Sequence, residues 1–197
     1  MGLPHRAART AATAALFVAL ATAGTVAAAG STTSTYPASA ELDGRALVLN
    51  GAGTRHRALF KVYDMAMYTV RKAGTPEEVL ALPGPKRLDF TSLRELDTTD
   101  IGRAFVQGMR ANASAEQTQR HLGSMTRLIE IFSSVSKLPA GERFAMHYLP
   151  GRGTQFIIAG QPQGAPVGDA EFFAMVLRIW LGPSPADPLL KDALLGQ

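Results

Sequence analysis

The chain has 197 residues, with 20 Lys and Arg against 16 Asp and Glu for a formal charge of +4, and it contains no cysteine. The lack of cysteine excludes disulfides, thiolate metal sites, cysteine nucleophiles and a lipid-modified N-terminal cysteine, so packing alone must hold the fold together. The basic residues are dispersed and form no run with interleaved aromatics, which excludes the usual footprint of a nucleic-acid binder.

His5, Arg6 and Arg9 make a basic start, Ala11 to Val26 is an apolar run, and Ala27-Ala28-Ala29 offers small residues for cleavage. Residues 1–29 are therefore expected to be a secretory signal peptide. The run is short and alanine-rich beside the roughly 20 apolar residues of a spanning helix. No stable membrane span is expected after cleavage, and the protein is expected to be periplasmic or secreted. Loss of the segment removes two arginines and lowers the formal charge to +2. Residues 30–40 are small and polar and read as a disordered linker. Residues 41–197 are enough for one domain with a full core.

Asp43-Gly44 predicts a turn into a short strand at Ala46–Leu49. From Leu49 to Val70 the pattern predicts a tight glycine turn at Gly51 and Gly53 feeding one long strand, with Arg55 where turn becomes strand. Period-two alternation along that strand would point Arg55, Lys61 and Tyr63 the same way, a cation pair and a phenol on one wall of a pocket. Asp64 falls in the apolar register; a bulge or edge position that turns it to water is preferred over a desolvated general base. Thr75-Pro76-Glu77-Glu78 opens a brief helix that Pro83 and Pro85 stop. Lys86 to Leu96 reads as a third strand. Asp97 caps a helix with Ile101, Ala104, Phe105, Gly108 and Met109 on one stripe. Ser114 with Gln117 caps another, carrying Leu122, Met125, Leu128, Ile129, Phe132 and Val135. A hairpin at Arg143–Leu149 and Thr154–Ala159, a helix from Gly168-Asp169 to Gly182-Pro183 and a last short helix at Pro188–Leu195 complete the chain. Locally paired strands with fewer crossover helices give an α+β class with a mainly antiparallel sheet covered on one side.

No metal, nucleotide or triad signature is present. His56, His121 and His147 lie far apart without carboxylates at ligand spacing and read as surface or capping groups. Gly51-Ala52-Gly53 lacks the third glycine and the following helix of a dinucleotide loop. No cofactor is expected. Arg55 could hold a carboxylate or phenolate through two parallel bonds with the Tyr63 phenol as a third donor. Equally, Arg55 could close the glycine turn on carbonyls while Tyr63 fills the core. Met65, Met67, Phe105, Met109 and Met125 could line an apolar pocket or belong to the core.

Leu49-Asn50-Gly51-Ala52-Gly53-Thr54-Arg55, Phe60-Lys61-Val62-Tyr63 with Tyr68, Pro150-Gly151 with Gly153-Thr154, and Ile179-Trp180-Leu181-Gly182 with Asp187, Leu190, Lys191 and Leu195-Gly196 follow one another in order. Together they resemble the chalcone isomerase-like family in its exported bacterial branch. The resemblance implies an open-faced β-sandwich, a long curved antiparallel sheet with helices over one face and a ligand cleft between. It also implies that Arg55 takes the place of the arginine that stabilises a phenolate in the plant enzymes. Their threonine falls on Tyr63, and their helix tyrosine and asparagine fall near Ile101 and Gly108, which offer no side-chain hydrogen bond. The expectation is a non-catalytic protein that binds a small amphipathic acid, such as a fatty acid, through Arg55, Tyr63, Lys61, Met65, Phe105 and Met109. The alternatives are an isomerase or lyase acting on a phenolic or enone substrate, with Arg55 and Tyr63 as its catalytic pair, and an accessory periplasmic protein with a filled cleft. Oligomeric state is not legible.

Overall fold

A computed structural model of the chain describes residues 1–2 and 32–197, so all but the first two residues of the expected signal peptide lie outside the described part. Seven antiparallel strands pair in one open sheet: β1 (Ser39–Leu42), β2 (Arg45–Arg57), β3 (Phe60–Thr69) and β4 (Lys86–Ser92), then β7 (Arg143–Leu149), β8 (Gly153–Ile158) and β9 (Gln161–Pro162). Between β4 and β7 the chain forms a small separate ladder, β5 (Leu96–Asp97) with β6 (Lys137–Leu138). The helices are α1 (Pro76–Ala81), α2 (Thr98–Ala111), α3 (Ala115–Arg120), α4 (Leu122–Ser133), α5 (Ala170–Leu181) and α6 (Pro188–Leu194). The architecture is the α+β class that the element order predicts and the open-faced sandwich that the resemblance implies.

Alternation decides which side of the sheet faces the helices. Tyr63, Met65 and Met67 of β3, Phe90 of β4 and Phe144 of β7 bury against Phe105, Met109, Phe132 and Trp180 from the helical layer. Phe90 and Phe144 stack at 4.5 Å, while Tyr63 and Trp180 each lie 5.4 Å from Phe90. Met65 and Met109 are thus plain core, as are Met67 and Met125, and none of the four borders the cavity described below.

The predicted glycine turn does not exist. Gly51 and Gly53 sit inside β2 without positive φ, and the chain reverses instead at Ala58-Leu59, where Ala58 takes φ 52°. The glycines serve close approach. A Cβ on Gly51 would run into the carbonyl oxygens of Ala193 and Leu194, and one on Gly53 would lie 2.7 Å from the Ala193 Cβ. Helix α6 therefore lies directly on the β2 backbone.

Two register shifts interrupt the β2–β3 ladder. The first skips Asn50, whose side chain is spent on backbone: Nδ2 donates to the carbonyls of Ala73 (3.0 Å) and Leu194 (2.8 Å), and Oδ1 accepts the Ala73 N–H (2.7 Å). The second passes from Arg55–Tyr63 to His56–Lys61 and leaves Val62 without a partner in β2. This bulge reverses the alternation. Val62 and Phe60 turn to the helix side, and Lys61 goes to the other face, where its Nζ reaches Thr33 Oγ1 at 3.5 Å.

The outer face is not bare. Leu47, Ala52, Ala66 and Tyr68 form a second cluster there with Tyr36, Ala40 and Leu42. Residues 32–38, read from sequence as disordered, are tied down across it: Ser34 N–H donates to Asp64 Oδ2 (2.6 Å), Tyr36 to Thr91 Oγ1 (3.2 Å) and Tyr68 to the Pro37 carbonyl (3.1 Å). Asp64 itself is fully buried beneath this strap, with Thr54 Oγ1 donating to Oδ1 at 2.5 Å. It neither turns to water nor faces the helix side, so both sequence readings of Asp64 give way to a capped structural carboxylate.

The helical layer departs from expectation once. Ser114 and Gln117 form the predicted capping box, but the helix breaks at His121 into α3 and α4. His121 is buried, its Nε2 2.9 Å from Glu171 Oε2 on α5, and Leu122 is exposed.

Candidate functional site

Between the β2–β3 hairpin and helix α2 lies a cavity of about 560 Å³, within the range of roughly 300–1,000 Å³ typical of small-molecule sites. Its walls come from Val62, Leu96, Ile101, Ala104, Phe105 and Ile179, its inner polar groups are Arg55 and Tyr63, and Arg57, Phe60, Arg94 and Glu95 stand toward its rim. The pairing of Arg55 with Tyr63 in the β2–β3 ladder puts the guanidinium and the phenol side by side.

Arg55 is oriented by one bond, Nη1 to the Ala186 carbonyl at 2.7 Å. That carbonyl is itself fixed, because Asp187 is clamped to β2 by the His56 N–H (2.8 Å) and caps α6 through the N–H groups of Leu189 and Leu190. A guanidinium has five N–H donors, and among the described residues no carboxylate pairs with Arg55 and no other oxygen accepts from it. The fork is held but not consumed. Tyr63 is oriented from the opposite side by Trp180, whose Nε1–H donates to the phenol oxygen at 2.9 Å. The acceptor side of the hydroxyl is thereby engaged, and its own proton is left to donate. Burial pushes the Tyr63 phenol up to about 12, even though the Arg55 cation pulls it the other way. The site thus offers a fixed cation and a neutral hydroxyl donor at one end of an apolar hollow, which suits an anionic head on a hydrocarbon body.

Of the residues expected from sequence, Arg55, Tyr63 and Phe105 come together here. Ile101 lines the cavity, whereas Gly108 is turned against Ile179, where an added Cβ would lie 3.0 Å from Cγ2. Lys61 is removed by the Val62 bulge, and Met65 and Met109 by burial in the core. Sequence reasoning passed over Trp180, Ile179, Val62 and Arg94. Trp180 and Ile179 belong to the Ile-Trp-Leu-Gly motif, so a signal was present for them. Among the described residues no group of His, Cys, Asp and Glu could hold a metal ion, and no helix is long and apolar enough to cross a membrane.

Comparison with known proteins bears on the fold and the family. A crystal structure of a fatty-acid binding protein from Arabidopsis thaliana superposes with a TM-score of 0.59 at 16% identity, covering 82% of this chain and 91% of that one. No curated protein sequence matches the chain. The chalcone isomerase-like family model matches residues 28–196, nearly the whole of the described part, and the chain belongs to the chalcone isomerase-like family.

Proposed function

We propose that this is an exported, non-catalytic binder of a small amphipathic acid, such as a fatty acid. The carboxylate would sit on the Arg55 guanidinium and the Tyr63 hydroxyl, and the chain would lie along Val62, Ile101, Phe105 and Ile179. The observation that carries the reading is the held but uncommitted Arg55 fork beside a neutral phenol in the wall of a largely apolar cavity. The structural neighbour's fatty-acid binding supports the same class of ligand. Where the plant enzymes carry polar helix residues, Ile101 offers only a hydrocarbon face and Gly108 packs on α5, so a ketone would find no water-holding network there. Export is supported by the basic start, the apolar run and the small residues of positions 5–29.

Magnitudes divide the labour. Each methylene buried contributes about 0.8 kcal/mol, and a charge-assisted hydrogen bond about 1.5–3 kcal/mol. The tail supplies most of the affinity, and Arg55 selects the head. Native mass spectrometry of the gently purified protein tests this. The expected result is a co-purifying acid that disappears in Arg55→Ala. An empty protein that turns over a chalcone would replace the binder with an isomerase, and an empty, inert one would leave an accessory role.

A further inference from the structure

We infer that the tip of the β2–β3 hairpin and the adjoining cavity rim form a docking surface for an anionic lipid bilayer. The tip is where the molecule spends apolar side chains on solvent. Leu59 is 95% exposed and Phe60 63%, and these two neighbours stand among only six large hydrophobic residues left exposed in the described part of the chain. A third of the six, Leu189, follows two residues after Asp187, which the His56 N–H fastens to the same hairpin. Phe60 also lines the cavity, so the protruding tip and the mouth of the site are one structure.

Charge is arranged around that tip. Arg57, Lys61 and Arg94 flank it, and among the described residues none of them pairs with a carboxylate; the Arg94 guanidinium lies over the Phe60 ring at 5.3 Å. Glu95, Asp97 and Asp100 line the same cavity mouth, and each already has a partner. Glu95 takes Lys137 at 2.5 Å, Asp97 caps α2 through the Asp100 N–H at 3.0 Å, and Asp100 faces Arg103 at 3.4 Å. Three cations around Leu59 of the two-residue turn and Phe60 at the start of β3 match an anionic interface, where aliphatic and aromatic groups enter the acyl boundary and long cations stay at the headgroups. A protein partner or a second copy fits less well. A stable interface buries roughly 800 Å² per partner, whereas a two-residue tip offers a point and not a face.

Such docking would place the cavity mouth against the hydrocarbon from which an amphipathic acid enters. That consequence rests on the proposed function; the docking itself does not. A cation near an anionic surface is worth about a fivefold change in partition. Lys61→Glu reverses one charge, and Leu59→Ser removes the most exposed apolar group; neither residue lines the cavity. The double variant L59S/K61E should therefore lose more than about a hundredfold in vesicle partition.

The test is co-sedimentation of the protein, as purified from the cells that make it, with vesicles of phosphatidylcholine alone or mixed with phosphatidylglycerol. Dodecanoate titration and thermal melting run alongside. The expected result is that the wild type pellets with phosphatidylglycerol vesicles and is released by salt. L59S/K61E should stay in the supernatant while melting and binding dodecanoate like the wild type. Equal pelleting of wild type and variant overturns the inference, as does a wild type indifferent to phosphatidylglycerol or one that self-associates through the tip instead. Vesicle binding that depends on Leu59 and Lys61 in a protein that takes up no dodecanoate upholds docking and sinks the cavity reading. Dodecanoate uptake without vesicle binding does the reverse.

Discussion

Burial holds the Tyr63 proton in place despite the cation beside it, and Trp180 decides which way that proton can point. The folded-state value of about 12 lies above the ordinary 10, so the folded state favours the neutral phenol. This contribution to stability is fully present below pH 10 and is lost as pH rises toward 12. Tyr63→Phe removes the acceptor for a buried indole N–H and should destabilise the protein by about 1–3 kcal/mol. It should also lessen, without abolishing, the loss of stability between pH 10 and 12, because burial raises the Tyr68 and Tyr36 phenols as well. Urea unfolding of both proteins below and above pH 10 checks the two effects together. An unchanged midpoint with an unchanged alkaline slope would mean that the indole bond contributes nothing. Arg55 differs in kind, because its one bond to Ala186 is made to a carbonyl that α6 positions, so its orientation depends on an element far away in sequence.

That dependence makes the contact between β2 and α6 the element on which the site is built. Gly51→Ala sets a methyl group against the backbone of Ala193 and Leu194, which cannot give way without moving the helix; Gly53→Ala meets mainly the side chains of Ala193 and Leu190. We expect Gly51→Ala to cost about 3 kcal/mol and Gly53→Ala about 1–2 kcal/mol, read as thermal midpoints, with Gly51→Ala also weakening acid binding because Ala186 moves with α6. Equal costs would show that α6 yields as easily along its backbone as along its side chains. The same elements show what the sequence makes legible. Caps at Thr75, Asp97, Ser114 and Asp169 and the turn at Asp43-Gly44 are written in local chemistry, and each stands where it was expected. The bulges at Asn50 and Val62 are not, because a bulge is a fact about cross-strand register and single-strand alternation carries no trace of the partner. Strict alternation puts Lys61 on the Tyr63 side for that reason, and the bulge at Val62 moves it to the other face. Arg55 and Tyr63 share a wall because they oppose each other across the β2–β3 ladder, and the extended strand that suggested it does not exist.

At the scale of the whole molecule the sheet has two covered faces, a thick one of helices and a thin one of residues 32–38. The strap supplies an amide donor to the buried Asp64 carboxylate and shields Tyr68. A chain beginning at Ser39 should be less stable by roughly 2–4 kcal/mol, from one lost charge-assisted bond and newly exposed apolar surface, while its cavity stays intact. Denaturant unfolding with dodecanoate binding measured in parallel checks this, and a truncated chain as stable as the full one would make the strap ornamental. Composition alone pointed to a linker, since small polar residues look the same whether they are solvated or hydrogen-bonded across a sheet. The layered α+β architecture, by contrast, follows from the order of strands and amphipathic helices and was legible throughout. The central claim is that Arg55 chooses an anionic head for an apolar cavity. Isothermal titration of the wild type and Arg55→Ala with dodecanoate and dodecanol tests it most directly. The account predicts that the wild type prefers the acid by about 10- to 150-fold and that Arg55→Ala loses that preference while keeping its affinity for the alcohol; an acid preference that survives in Arg55→Ala would contradict it.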